Sequence, residues 1–315
     1  MRTRDFLCLI MVFFTTFLCA QQRARVAIAY LDGPRVVVAD GSGHAIRTVK
    51  VSFNKPISGL AINATGTHIV AVLQTFGRGE FGGDFYLWSL RSKRWKRITF
   101  GPYVFKEKEE GHREVYDRPA FSPSGKSVGF LIRTESLYDD NDCVMASGPV
   151  ALMNLSTGKI RVLRTTMQID QTLRATQDPP FCTESVAWSS DSRTLLECFE
   201  DAFGTVDLET LKFHLWDPSV GDGLMSYSVN WLDGAHILFA SRRSFEEKAS
   251  LHRLSLKDGT VSEPPQRFGA LTGELMDFNR DVYVIRDEDG GREVHGSIVW
   301  KLPKPGIFGL APVSK

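Results

Sequence analysis

Residues 118–132, RPAFSPSGKSVGFLI, hold a short apolar strand ending on a bulky residue, Phe121, then a polar turn, Ser122 to Lys126, then a second strand. The same arrangement recurs at 59–74 (GLAINATGTHIVAVLQ), 185–199 (SVAWSSDSRTLLECF), 228–240 (SVNWLDGAHILFA) and 274–285 (ELMDFNRDVYVI). Ile62, Phe121, Trp188, Trp231 and Phe278 mark the common register, at intervals of 59, 67, 43 and 47 residues. The shorter intervals match the period of a four-stranded propeller blade, so the two longer ones carry insertions.

Third and fourth strands follow these hairpins, as in 84–90 (DFYLWSL) with 95–100 (WKRITF), 149–155 (PVALMNL) with 159–165 (KIRVLRT), and 250–256 (SLHRLSL). Between them stand Ser156-Thr157-Gly158-Lys159 and Lys257-Asp258-Gly259, turn sequences that supply the φ > 0 positions of a tight hairpin. Residues 25–51 offer three strands (25–30, 35–40 and 45–51) without a first. The C-terminal part offers three (275–278, 282–287 and 297–302) without a clear fourth. A propeller must join its ends, so one terminus is expected to lend a strand to the other end's blade, with 307–313 (IFGLAPV) the candidate. No segment sustains a 3.6-residue apolar period, so very little helix is expected. The expected fold class is all-β: a propeller of four-stranded antiparallel blades, six in number with five the alternative, closed by pairing of the terminal segments.

The turn at 121–130 (FSPSGKSVGF), with weaker echoes at 188–195 (WSSDSRTL) and 231–238 (WLDGAHIL), resembles the repeat of TolB-like (WD40-like) propellers, whose blades read phenylalanine-serine-proline-aspartate-glycine. The resemblance spans about residues 25–302. It implies a binding scaffold, in the bacterial case a periplasmic one. The chain also resembles the propeller half of prolyl oligopeptidase-type enzymes; their hydrolase domain, and the domain that precedes the propeller in TolB itself, have no counterpart in these residues.

Arg2 and Arg4 precede an uncharged apolar run, Phe6 to Leu18, ending at Cys19-Ala20 before Gln21-Gln22. That run is too short to span a hydrocarbon core of roughly 30 Å comfortably, and it reads as a signal peptide over residues 1–20, cut after Ala20, with a single propeller domain over 21–315. A retained N-terminal anchor and a lipoprotein acylated at Cys19 are the alternatives. The expected location is therefore secreted or periplasmic. The chain carries 38 basic and 37 acidic residues, and loss of residues 1–20 removes two arginines and one aspartate, leaving it formally neutral. That balance points to no nucleic acid partner.

The chemistry-bearing patterns have simpler structural readings beside them. Gly125-Lys126-Ser127-Val128-Gly129 fits a serine-hydrolase elbow, which needs the serine on a strand-to-helix turn; here a strand follows, so Ser127 reads as a turn residue. The seven histidines show no metal spacing: His68 and His236 occupy equivalent turns, and His44, His112, His214, His252 and His295 are scattered. Asp139-Asp140-Asn141-Asp142 offers oxygen ligands for calcium but lacks the EF-hand loop, and reads first as a solvated loop. The cluster from Arg91 to Arg97 suits anionic glycan or lipid head groups, or else lies around an outer hairpin turn with alternate charges in water. No cofactor is expected.

In a blade, the connection from second to third strand and the connection to the next blade leave from the same face. The long stretches 76–84, 105–119, 135–148 and 167–181 all have that address. Loops on a rigid scaffold carry binding residues, so Phe81, Tyr103, His112, Tyr116, Asp139, Asp140, Asp142 and Gln171 are the candidate contact residues. Cys143 and Cys182 fall in neighbouring loops of this face and form the expected disulfide, with Cys198 the competing partner for Cys182. The functional expectation is an exported, non-catalytic propeller that binds a protein or cell-envelope component through this face. The alternative is a polysaccharide lyase or hydrolase with a site in the central channel, although first strands such as those holding Ala61, Ala120 and Ala187 offer that channel mainly apolar residues.

Overall fold

The computed structural model describes residues 25–74, 83–99, 112–136, 145–163, 185–198, 203–216, 225–242, 250–268, 274–279, 281–287 and 289–312. Among these residues the only helical turn is a 3₁₀ turn, Gln266–Phe268, and everything else regular is strand. Blade 1 contains β1 (Ile28–Asp32), β2 (Arg35–Ala39) and β3 (Ala45–Lys50). Blade 2 is β4 (Ile57–Ile62), β5 (His68–Gln74), β6 (Gly83–Ser89) and β7 (Arg94–Arg97). Blade 3 is β8 (His112–Phe121), β9 (Ser127–Ser136), β10 (Met145–Asn154) and β11 (Ile160–Val162). Blade 4 is β12 (Ser185–Trp188), β13 (Thr194–Cys198), β14 (Phe203–Asp207) and β15 (Phe213–Trp216). Blade 5 is β16 (Met225–Trp231), β17 (His236–Arg242), β18 (Ser250–Ser255) and β19 (Val261–Ser262). Blade 6 is β20 (Glu274–Phe278), β21 (Tyr283–Arg286), β22 (Arg292–His295) and β23 (Val299–Lys301).

The last strand, β24 (Phe308–Leu310), returns to blade 1 and pairs antiparallel with β1 as its innermost strand, Ile28 opposite Leu310 and Tyr30 opposite Phe308. The segment proposed from sequence as the loan is the one that closes the ring. Four of the sheets are separate four-stranded blades. Blades 2 and 3 form one eight-stranded sheet, joined by a single pairing of Gly83 with Tyr116.

The core lies between blades. One apolar cluster fills each junction: Val36, Val38, Ile62 and Ile69 between blades 1 and 2; Phe85, Phe121 and Phe130 between 2 and 3; Leu131, Val150 and Trp188 between 3 and 4; Leu196, Trp231 and Phe239 between 4 and 5; Leu238, Leu275 and Phe278 between 5 and 6; and Ala27, Ile28, Val282 and Val294 between 6 and 1. Each blade therefore buries both faces, and this is why the inner strands read as nearly continuous apolar runs rather than alternating ones. All five register residues are buried at these junctions.

Polar residues make the repeat as much as apolar ones do. The residue after the anchor turns its side chain back on the hairpin: Asn63 Oδ1 accepts from the Thr67 and His68 amides, Ser122 Oγ from Ser127, Ser189 Oγ from Thr194, and Asn279 Oδ1 from Asp281 and Val282. Ser127 is thus a turn residue at the start of a strand. At the other short turn, the leucine after the third strand donates its amide to the carbonyl that precedes the second strand: Leu90 to Thr67, Leu155 to Lys126, Leu208 to Arg193 and Leu256 to Ala235. A side-chain bond joins blades 3 and 4. Trp188 Nε1 donates to the Ala120 carbonyl (2.9 Å), reached because Gly129 leaves space beside the indole. Trp231, at the next junction, packs in a cluster with Leu196 rather than beside a glycine, and its buried Nε1 has no acceptor among the described residues.

Two stretches differ from the sequence expectation. Residues 112–119, expected within a loop, are the first part of β8, and 135–136 and 145–148 extend β9 and β10; His112 faces Ser136 and Met145 faces Glu135 in register. The run His112-Arg-Glu-Val-Tyr116 does not alternate apolar with polar residues, so the strand left no period in the sequence to read. In blade 6, Arg292-Glu-Val-His295 is the third strand and 299–301 the fourth, so this blade is complete; only Val294 of the third strand is buried, which leaves little apolar signal.

Gly309 sits where an added Cβ would stand 2.2 Å from the Leu60 carbonyl oxygen of blade 2. Gly309→Ala should therefore displace the closing strand and lower stability by about 2–3 kcal/mol in urea unfolding. In the turns between third and fourth strands, Lys93, Gly158, Leu211 and Gly259 all hold positive φ (53°, 69°, 58° and 72°). Leu211 is also 49% exposed and gives up little burial. Leu211→Gly should stabilise the protein by about 0.5–1 kcal/mol in the same measurement.

Candidate functional site

Two regions of the ring can carry chemistry. The first is the face where second strands end and first strands begin. There the strands of blade 3 overrun their neighbours: β8, β9 and β10 are ten residues each, against four to seven for the corresponding strands of the other complete blades. At roughly 3.3 Å per residue, the extra length raises a three-stranded tongue about 10 Å beyond the rim of that face. The extension pairs His112–Val115 with Arg133–Ser136, and Ser136's neighbours in turn with Met145–Ser147. His112 thus opens the tongue's first strand. Tyr116 lies at its root, buried at 6% exposure, its ring 5.8 Å from Phe85 and 5.3 Å from Phe130. The tyrosine supports this face from beneath instead of meeting solvent, a correction to its expected place in a loop. Phe81, Tyr103, Asp139, Asp140, Asp142, Gln171, Cys143 and Cys182 lie outside the described residues.

The second region is the set of inner strands, at the position before each anchor. The position before each anchor is Ala61, Ala120 and Ala187 in blades 2 to 4, but Asn230 and Asp277 in blades 5 and 6. Asn230 Nδ2 donates to Asp277 Oδ1 (3.0 Å) and to the Phe278 carbonyl (2.9 Å), tying the last two blades. Asp277 Oδ1 also accepts from the Phe278 amide (2.8 Å). Arg118, on blade 3, holds positive φ (51°) with its amide donated to Asp117 Oδ1 (2.7 Å). The charge of Arg118, on blade 3, is felt at Asp277, on blade 6.

Burial within the ring pushes the Asp277 carboxyl up to about 6, against the opposing pull of the Asn230 amide, the Phe278 amide and the Arg118 charge. Burial, with the neighbouring charges of Arg286 and Arg118, also lowers Arg292. The inner strands of blades 5 and 6 thus hold one carboxyl able to exchange a proton near neutrality beside one fixed amide, within the field of a guanidinium. Sequence reading missed this pair because three of the five aligned copies carry alanine there. The signal was the change from alanine to Asn230 and Asp277 at one repeat position.

The histidines are dispersed over the ring in local contacts. His68 is drawn below its ordinary value by burial beside Thr67 (3.1 Å). His236 meets Asp233 (2.9 Å) across its own turn. His214 packs edge-on against Trp216, and His295 stacks on Tyr283 at 4.8 Å. Among the described residues no three His, Cys, Asp or Glu side chains group as metal ligands, and no helix is long and apolar enough to cross a membrane.

The ring of four-stranded blades closed by a terminal strand defines a β-propeller. It is similar to the putative TolB from Agrobacterium tumefaciens, at 14% identity over 92% of this chain and 91% of that one, with a TM-score of 0.52. It is also similar to the β-propeller domain of Myceliophteria thermophila Cps50 (Swd1), at 14% identity over 89% of this chain and 80% of that one, with a TM-score of 0.51. At that identity the likeness is one of fold. No family model matches the sequence, and no curated protein does.

Because the folded Asp277 carboxyl holds its proton to higher pH than in the unfolded chain, the native state binds more protons between about pH 4 and 6, and stability falls as pH rises through that window. Asp277→Asn should remove this fall. The variant should match the parent near pH 4 and exceed it by about 1–2 kcal/mol near pH 7 in denaturant titrations.

Proposed function

We propose that the protein is an exported, non-catalytic propeller that holds a protein or other cell-envelope partner on the face bearing the long connections. The observation that carries this reading is the blade 3 tongue. It extends the first three strands of one blade past the rim, on the face from which the stretches 75–82, 100–111, 137–144 and 164–184 depart. Rigid strands that lift connections off a ring present them to another molecule. The fold likeness to propellers of the TolB and WD40 kind supports a binding scaffold. The apolar run from Phe6 to Leu18 supports export.

A variant with 137–142 replaced by a short Gly-Ser turn, Cys143 kept, tests the reading, using the full chain as bait in cell-envelope extract. Partners retained by the parent should be lost from the shortened protein while its thermal unfolding is unchanged; retention of every partner overturns the assignment of this face. The secreted or periplasmic protein should begin at Gln21 on N-terminal sequencing, and non-reduced peptide mapping should show Cys143 joined to Cys182.

The second reading, a polysaccharide lyase or hydrolase acting in the channel, draws on Asp277 and its raised proton affinity. It requires release of new chain ends from an acidic polysaccharide, abolished by Asp277→Asn.

A further inference from the structure

The short-turn face of blades 2 and 3, opposite the tongue, carries cations that no described carboxylate of those two blades offsets. Arg91, Lys93, Arg94 and Lys96 of blade 2 and Lys126 and Lys159 of blade 3 are all exposed. The only carboxylates of these two blades whose side chains are described, Asp84 and Asp117, are buried at 6% and 7% exposure. Asp84 spends its charge on Arg97, at 2.8 Å to each of its oxygens, and Asp117 lies against Arg118. Arg91, Lys93, Arg94, Lys96, Lys126 and Lys159 take part in no ion pair among the described residues.

The cations are held in place by the layer beneath them. In β7 the alternation turns Trp95 and Arg97 inward and Arg94 and Lys96 outward. Trp95 packs edge-on against Phe53 at 5.2 Å and donates Nε1 to the Lys50 carbonyl (3.1 Å), anchoring this edge strand to blade 1 and setting Lys50, also exposed, beside it. The Leu90 and Leu155 amide bonds draw the two kinds of short turn together in both blades, and Gly125 of blade 3 lies against Asn63 of blade 2. The positive groups therefore form one convex field over turn tips and an edge strand. Leu90, 36% exposed, is set among them.

We infer that this field docks the propeller onto an anionic bilayer surface. A lipid surface needs only outward cations on a convex patch, with an aliphatic side chain at head-group level. A glycan chain would call for a groove with open aromatic platforms, whereas Phe53, Tyr86 and Trp95 here are packed on one another. Docking by the cationic face turns the tongue away from the lipid and toward a partner.

Co-sedimentation of the full chain with vesicles of phosphatidylcholine alone, and with about 30% phosphatidylglycerol, tests this at about 0.1 M and 0.5 M salt. The protein should bind only the anionic vesicles, and only at the lower salt. The combined variant Arg91→Ser, Lys93→Gly, Arg94→Thr and Lys96→Thr should bind on the order of a hundredfold more weakly with unchanged thermal unfolding. Lys126→Ser with Lys159→Ser should show a smaller loss, and Lys257→Ser with Lys304→Ser none. Failure of the parent to sediment with anionic vesicles, or full binding by the fourfold variant, overturns the inference. So does capture by a soluble sulfated polysaccharide with no binding to vesicles, which would assign the patch to glycan. None of these outcomes bears on the partner-binding face, which lies on the other side of the ring.

Discussion

The pairing of Phe308–Leu310 with Ile28–Tyr30 is the constraint on which the ring depends. Without it blade 1 has three strands, and β4 of blade 2 loses the closing strand packed against Leu60 and Ala61. Asn279 secures the same seam from blade 6, its Nδ2 donating to the carbonyls of Ala27 (2.9 Å) and Ala311 (3.0 Å), across 252 residues of sequence in the first case. One amide thus joins the start of the described chain, its end and the last blade. Every other junction is made between neighbours in sequence; this one is made between extremes, and its loop-closure entropy is the largest in the fold.

The ring separates the molecule's work by face. Short turns are built from the protein's own hydrogen bonds: asparagine or serine after the anchor, leucine amide after the third strand. Such turns are rigid and leave their side chains free for solvent, which is where the uncompensated cations stand. The other face is free of that economy, and blade 3 uses the freedom to extend three strands. Between the faces, the position before the anchor packs as alanine into the junctions after blades 2, 3 and 4, whereas in blades 5 and 6 it is Asn230 and Asp277, joined by a hydrogen bond.

The blades were legible because each inner hairpin carries its own anchor and its own polar cap, both local in sequence. The closing strand was legible by subtraction, since 25–51 lacked a first strand and 307–313 had none to pair with. The third strand of blade 6 was hidden because only Val294 is buried in it, and the tongue because its strands continue through charged residues that mimic a loop. Asn230 and Asp277 meet from neighbouring blades, 47 residues apart, and the alanines at the same position of the earlier copies gave no sign of a polar pair there.

Closure by the final strand has a consequence for how the chain is made. The first blade to be synthesised is the last to be completed, and until residue 310 is available β1 shows an unpaired edge of five residues whose first members are wholly apolar. Bare strand edges recruit strands from other molecules. Every truncated or stalled product of this gene therefore carries, at its beginning, a ready template for aggregation, and any factor that attends its synthesis has most to shield at the amino-terminal blade.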